Sequence, residues 1–80
     1  MAADVVLESL AAEMEFATIL RWLKRAGDTV VAGDPLVEVE ADKANYEIES
    51  PLGGTLAEIV AFEGDEIPVG AVLAVIEEAA

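Results

Sequence analysis

Glu40-Ala41-Asp42-Lys43-Ala44 is a short polar break between two stretches that alternate. Pro35 to Glu40 leads into it with Val37 and Val39 on one face; Ala44 to Ser50 leads out with Tyr46 and Ile48 on one face. Period-two alternation on both sides of so short a break predicts a β-hairpin, with Lys43 at or beside its tip. A lysine there projects into water from a firm support. The chain has only four basic residues, and the other three, Arg21, Lys24 and Arg25, stand together elsewhere.

Outward from the hairpin, Gly and Asp punctuate the chain. Lys24 to Asp28, Gly33-Asp34-Pro35, Ser50 to Gly54, Glu63-Gly64-Asp65 and Val69-Gly70 all read as turns. Between them lie short strands: Val5 to Leu7, Ala17 to Leu23, the stub Thr29 to Val31, Thr55 to Phe62, a stub at Ile67, and Val72 to Ile76. Glu8 to Glu15 reads as a loop in which Ala11 to Met14 could start a helical turn. Glu77 to Ala80 reads as the start of a linker, so the expected domain is 1–80 with 77–80 leading away.

A repeat underlies this order. A shift of 37 residues lays Thr18 on Thr55, Gly27-Asp28 on Gly64-Asp65, Val30 on Ile67, Gly33 on Gly70, Leu36 on Leu73 and Val39 on Ile76. A shift of 41 lays Leu7-Glu8-Ser9 on Ile48-Glu49-Ser50, so the first half carries four extra residues between Leu10 and Ala17. Two matching strand-rich halves, neither able to bury its apolar face alone, predict two stacked sheets related by a pseudo-two-fold axis. The hairpin tip then corresponds to the gap between the chain ends, which are expected opposite Lys43. Alternation fails once in each half: Ile19, Trp22 and Leu23 match Leu56, Ile59 and Val60 at a spacing of three. A β-bulge or sharp coil would let both residues of such a three-spaced pair point inward. A helix is the competing reading, and strand is preferred because the flanking turns leave only seven or eight residues.

Composition narrows the chemistry. Eighty residues suffice for one small domain. There is no Cys and no His, hence no disulfide, no thiolate and no imidazole base or ligand, and a self-contained hydrolase is the weakest reading. A net charge of −13 opposes nucleic acid and anionic membranes. No apolar run approaches the ~20 residues of a membrane helix, and no signal peptide is visible at the N-terminus. A reducing, soluble compartment is expected. Asp28, Asp34 and Asp65 stand at turns without calcium-loop spacing, so no metal site is expected.

Lys43 is the leading site residue. A turn lysine is as often a mere solubilising charge, but this one stands apart from the other bases and at the far point from the expected chain ends. A lysine ammonium is a poor nucleophile without a second base or a dry pocket, and neither is evident beside it. It is better suited to being modified by another enzyme than to catalysis.

Gly27-Asp28-Thr29-Val30, Gly33-Asp34, Val39-Glu40-Ala41-Asp42-Lys43-Ala44, Glu49-Ser50-Pro51, Gly54, Glu63-Gly64-Asp65 and Val69-Gly70 closely resemble the lipoyl domain of 2-oxo acid dehydrogenase acyltransferase (E2) components, over nearly the whole chain. The resemblance implies an all-β fold: a flattened β-barrel or sandwich of two four-stranded antiparallel sheets. It implies lipoic acid in amide linkage to Lys43, with Asp42 and Ala44 as the flanking turn; related biotinyl domains usually have methionine at both flanks. It implies a non-catalytic carrier that meets a lipoate-attaching ligase or transferase, a thiamine-diphosphate decarboxylase (E1), the E2 catalytic core and a flavoprotein dihydrolipoamide dehydrogenase (E3). The extra loop matches one that helps the decarboxylase recognise its domain, which makes Glu13, Met14 and Glu15 candidate recognition residues. The chain departs from the family in carrying Ala11 and Ala17 where glycines are usual. A bacterial cytoplasm is the expected location, or the mitochondrial matrix for a trimmed domain. A biotinyl carrier of a biotin-dependent carboxylase, or an unmodified interaction module of the same fold, are the competing readings.

Overall fold

The computed structural model describes residues 1–9, 14–41 and 43–78. Eight strands follow in order: β1 (Ala2–Val6), β2 (Phe16–Trp22), β3 (Thr29–Val30), β4 (Pro35–Ala41), β5 (Ala44–Glu49), β6 (Gly54–Ile59), β7 (Glu66–Pro68) and β8 (Val72–Glu78). They form two four-stranded antiparallel sheets, β1-β8-β6-β3 and β5-β4-β2-β7. The repeat accounts for this order strand by strand: β1 matches β5, β8 matches β4, β6 matches β2 and β3 matches β7. The two-sheet all-β fold expected from the resemblance is present, as a flattened sandwich.

The core lies between the sheets. Val5, Leu7, Ile19, Val30, Leu36, Val37, Val39, Leu56, Leu73 and Ile76 are all buried to within a few per cent. They are supplied by the inward positions of alternating strands, so each sheet covers the apolar face of the other. Trp22 packs at the margin of this core and donates its indole N–H to the Ala61 carbonyl, 2.8 Å away.

The broken alternation is a bulge, in both halves. The β2–β4 register shifts between Ile19 and Arg21, and the β6–β8 register shifts between Leu56 and Glu58. The extra residue brings Trp22 and Ile59 back toward the core, against which both pack. The helical alternative does not form. The turns after the bulges are closed by a repeated device. Asp28 accepts the Arg25 N–H and Asp65 accepts the Phe62 N–H, at 2.8 and 2.9 Å. Asp34 does the same for Val31 at 2.9 Å. These three carboxylates are therefore occupied with backbone donors.

Strand ends differ from the reading in places. The first strand begins at Ala2 rather than Val5, because Ala2 to Asp4 pair with Val75 to Glu77 of β8 although the sequence Ala-Ala-Asp carries no apolar–polar alternation. The segment expected to open a linker is partly strand: Glu77 pairs with Ala2 and Glu78 with Gly54, while Ala79 and Ala80 lie outside the described residues.

The two halves run past each other. Gly64 donates to the Ile19 carbonyl at 2.8 Å, Trp22 reaches Ala61, and Gly27 donates to the Leu56 carbonyl at 2.7 Å. As the first numbers rise the second fall, so β2 and β6 are antiparallel across the sandwich. The start of β2, beside the β4–β5 hairpin, and the start of β6, beside Glu78, therefore point to opposite ends of a body 38 Å long. At the second end the Glu78 N–H donates to the Met1 carbonyl at 2.7 Å, and the Met1 amine lies 3.3 Å from Glu77. Met1 and Glu78, the outermost described residues, sit at the end opposite Lys43, as the repeat requires.

Candidate functional site

The β4–β5 ladder is regular from Val37–Ile48 to Ala41–Ala44, which leaves a two-residue tip. Lys43 occupies the second tip position with φ 67°, the one left-handed non-glycine among the described residues. Short hairpins turn most easily through the left-handed region, because their twist then matches that of the strands. A side chain with a Cβ resists that region by about 1–2 kcal/mol. Lysine is thus a strained choice where glycine or asparagine would be relaxed, and the strain marks the position as one kept for its side chain.

That side chain is exposed. Arg21 is drawn to Glu38, its cross-strand partner, at 3.2 Å, and Lys24 approaches Asp34 at 4.0 Å. Lys43 has no carboxylate partner among the described residues. Ala44, half-buried, opens β5 opposite Ala41, whose methyl points into the core. Small residues on both sides let the backbone narrow to the tip without bulk around the lysine. Asp42 lies outside the described residues.

The loop expected to serve recognition resolves differently. Glu13 lies outside the described residues. Met14 is not a surface residue: it is 8% exposed and belongs to the core, so it cannot present itself to a partner. Its flexible thioether fills the space where the chain enters β2. Glu15 is exposed, and its carbonyl accepts the Val69 N–H at 2.9 Å, which anchors the loop exit to the β7–β8 turn. Ala17, where the resemblance expects glycine, is buried in β2 without a left-handed backbone, so its methyl adds to the core.

One residue beside Lys43 escaped the sequence reading. Phe16, Thr18, Glu40, Ala41 and Lys43 line one shallow hollow. Phe16 is 50% exposed. Its signal was there in the parity of β2: Ala17 and Ile19 face inward, so Phe16 faces water.

Comparison with known proteins agrees with this geometry. The biotin/lipoyl family model, described as "Biotin-requiring enzyme", matches residues 5–76. The chain is 47% identical over 98% of its length to the dihydrolipoyllysine-residue acetyltransferase component of pyruvate dehydrogenase complex from Corynebacterium glutamicum, covering 12% of that protein. It is 39% identical over its full length to the succinyltransferase component of 2-oxoglutarate dehydrogenase complex from Bartonella vinsonii, covering 20% of it. The chain thus spans an eighth to a fifth of these relatives. Among solved structures, the lipoyl domain of the Azotobacter vinelandii 2-oxoglutarate dehydrogenase complex superposes with a TM-score of 0.74 at 27% identity, over 95% of this chain and 99% of that one. A segment of Kluyveromyces lactis urea carboxylase superposes with a TM-score of 0.83 at 25% identity, over 96% of this chain and 6% of that one. With its fold, its hairpin lysine and these matches together, the chain belongs to the biotin/lipoyl family, as a lipoyl domain of the kind found in dihydrolipoyllysine acyltransferases.

Proposed function

We propose that Lys43 is the attachment point of lipoic acid and that this domain carries acyl groups and reducing equivalents within a 2-oxo acid dehydrogenase complex. The observation that carries this reading is the mount: a strained lysine without a carboxylate partner among the described residues, on a two-residue tip at the end of the body opposite Met1 and Glu78. A domain held by its ends points Lys43 away from whatever holds it.

The residues fit the group. The Lys43 Nζ would hold lipoate through an amide, formed by a ligase or transferase that must reach the amine from solvent. The amide removes one positive charge and takes the domain from −13 to −14. When bound, lipoate supplies a disulfide that can accept an acyl group together with two electrons. The domain contributes placement. Its two-sheet core holds the tip stiff, and tethering keeps the arm at high effective concentration near each active site that the domain visits. The lack of His and Cys leaves the chain without groups of its own for this chemistry.

The partners follow from this reading: a thiamine-diphosphate decarboxylase that loads the arm, an acyltransferase core that unloads it, and a flavoprotein dehydrogenase that reoxidises it. The relatives favour pyruvate or 2-oxoglutarate as the parent 2-oxo acid. The matching location is a bacterial cytoplasm or the mitochondrial matrix.

Biotin is the competing cargo, because carboxylase segments share the fold. Asp42 and Ala44, in place of the methionines usual around biotinyl-lysine, favour lipoate. Co-expression with a lipoate ligase and, separately, with a biotin ligase, followed by intact mass measurement, tests the choice. Lipoylation of the wild type, with none on Lys43→Arg, supports it; biotin alone, or no addition, overturns it.

A further inference from the structure

We propose that the hollow beside Lys43 is a resting site for the dithiolane end of its own arm, with Phe16 as the platform. The inference rests on the reading of Lys43 as lipoyl-bearing and adds a role for residues outside the attachment turn.

Thr18 pairs with Glu40 across β2 and β4, so continuing that register by two residues brings Phe16 level with the hairpin tip. The other neighbour of Phe16 in the sheet is Pro68 of β7, which adds an apolar edge. Phe16 is half-exposed and takes no part in the core cluster, although its strand neighbours Ala17 and Ile19 do. The outward face around it is otherwise polar: Thr18, Glu40, Glu38 and Glu66. Phe62 and Val31 are more exposed still, so exposure alone does not single out Phe16; its place in the hollow with Lys43 does.

The arm suits this hollow because, once attached, it would start from Lys43, which lines it. Its end group is compact, uncharged and rich in sulfur. Sulfur meets an aromatic ring favourably at the ring edge or face, with a weak attraction that suits a reversible rest. Tethering makes so weak a contact count, because the ring and its partner never separate by more than the arm. The neighbouring Glu40 does not oppose a neutral guest as it would an anionic one. A ring that rests between visits leaves water less access to its sulfurs and shortens the set of positions from which a partner must collect it.

The test compares the unmodified and lipoylated domain by NMR, after intact mass has shown the group on Lys43. The expected result is shifted resonances at the Phe16 ring and at the Thr18 and Glu40 amides, with cross-relaxation between Phe16 and dithiolane protons. In Phe16→Ala the Thr18 and Glu40 changes should vanish while those at Ala44 and Asn45 persist. Reduction of the dithiolane by a neutral phosphine should then run roughly two- to tenfold faster, the span of one sulfur–aromatic contact. Phe16→Leu, which keeps apolar bulk without the ring, should lie between and serves if the alanine variant folds poorly. Changes confined to the hairpin tip, on a domain whose mass shows the attached group, overturn the resting site alone. A mass without the group overturns the functional reading with it.

Discussion

The left-handed backbone at Lys43 makes a prediction about stability that activity alone would not reveal. Two variants, Lys43→Ala and Lys43→Gly, lose the same charge and the same attachment point. They differ in the tip. Alanine keeps the Cβ that a φ of 67° opposes, at about 1–2 kcal/mol, whereas glycine does not. Glycine gives back roughly 0.5–1 kcal/mol through the greater freedom of its unfolded chain. The difference leaves Lys43→Gly more stable than Lys43→Ala by about 0.5–1 kcal/mol. For a domain of this size that is a Tm higher by roughly 2–8 °C. Calorimetry on both variants, with urea unfolding to check that the slope is unchanged, measures it directly. If Lys43→Ala melts at or above Lys43→Gly, the tip is not strained and the claim that lysine is held there against backbone preference is wrong.

Further expectations concern the frame that supports the tip. Gly54→Ala should destabilise by about 1–3 kcal/mol, because a Cβ there would press on the Glu77 carbonyl oxygen and lie 3.0 Å from its carbon, backbone that cannot yield without opening β8; a melting point equal to wild type would contradict the close approach. Asp28→Ala and Asp65→Ala should each cost about 1 kcal/mol by freeing the Arg25 and Phe62 N–H groups, and nearly equally, since the two turns are repeats; widely unequal losses would count against the symmetry. Moderate salt should raise the melting temperature, because at 0.1 M the screening length of about 10 Å falls within the molecule and weakens the self-repulsion of 17 acids. Unchanged or lower melting in salt would show that the carboxylates are not in net conflict.

Much of this architecture was legible because the sequence states it twice. Gly27-Asp28 and Gly64-Asp65 announce the same turn, and the spacing of Ile19 with Trp22 repeats in Leu56 with Ile59, so one irregularity explained the other as a bulge. The stacking of two matching sheets, and the placement of Met1 and Glu78 opposite Lys43, then followed from symmetry, whereas the strand order within each sheet came from the structure. What escaped depended on partners in space. Ala2 to Asp4 join a sheet because β8 offers them an edge, and the sequence Ala-Ala-Asp carries no apolar–polar alternation to announce it. Met14 looked like a loop residue because its loop has no counterpart in the second half to show which positions are covered. The parity of β2 puts Phe16 on the outward face, but its place beside the tip comes only from the pairing of β2 with β4.

The central claim is that Lys43 bears lipoate, and trypsin offers the most direct reading of it. Beyond Arg25 the sequence offers trypsin Lys43 alone, so an unmodified chain is cut between Lys43 and Ala44 while an acylated one is not. Protein isolated from its own cells should yield a peptide running uncut from Ala26 through Lys43, with a mass increased by one lipoyl group. A peptide ending at Lys43 without added mass, or an uncut one carrying biotin, would contradict the account.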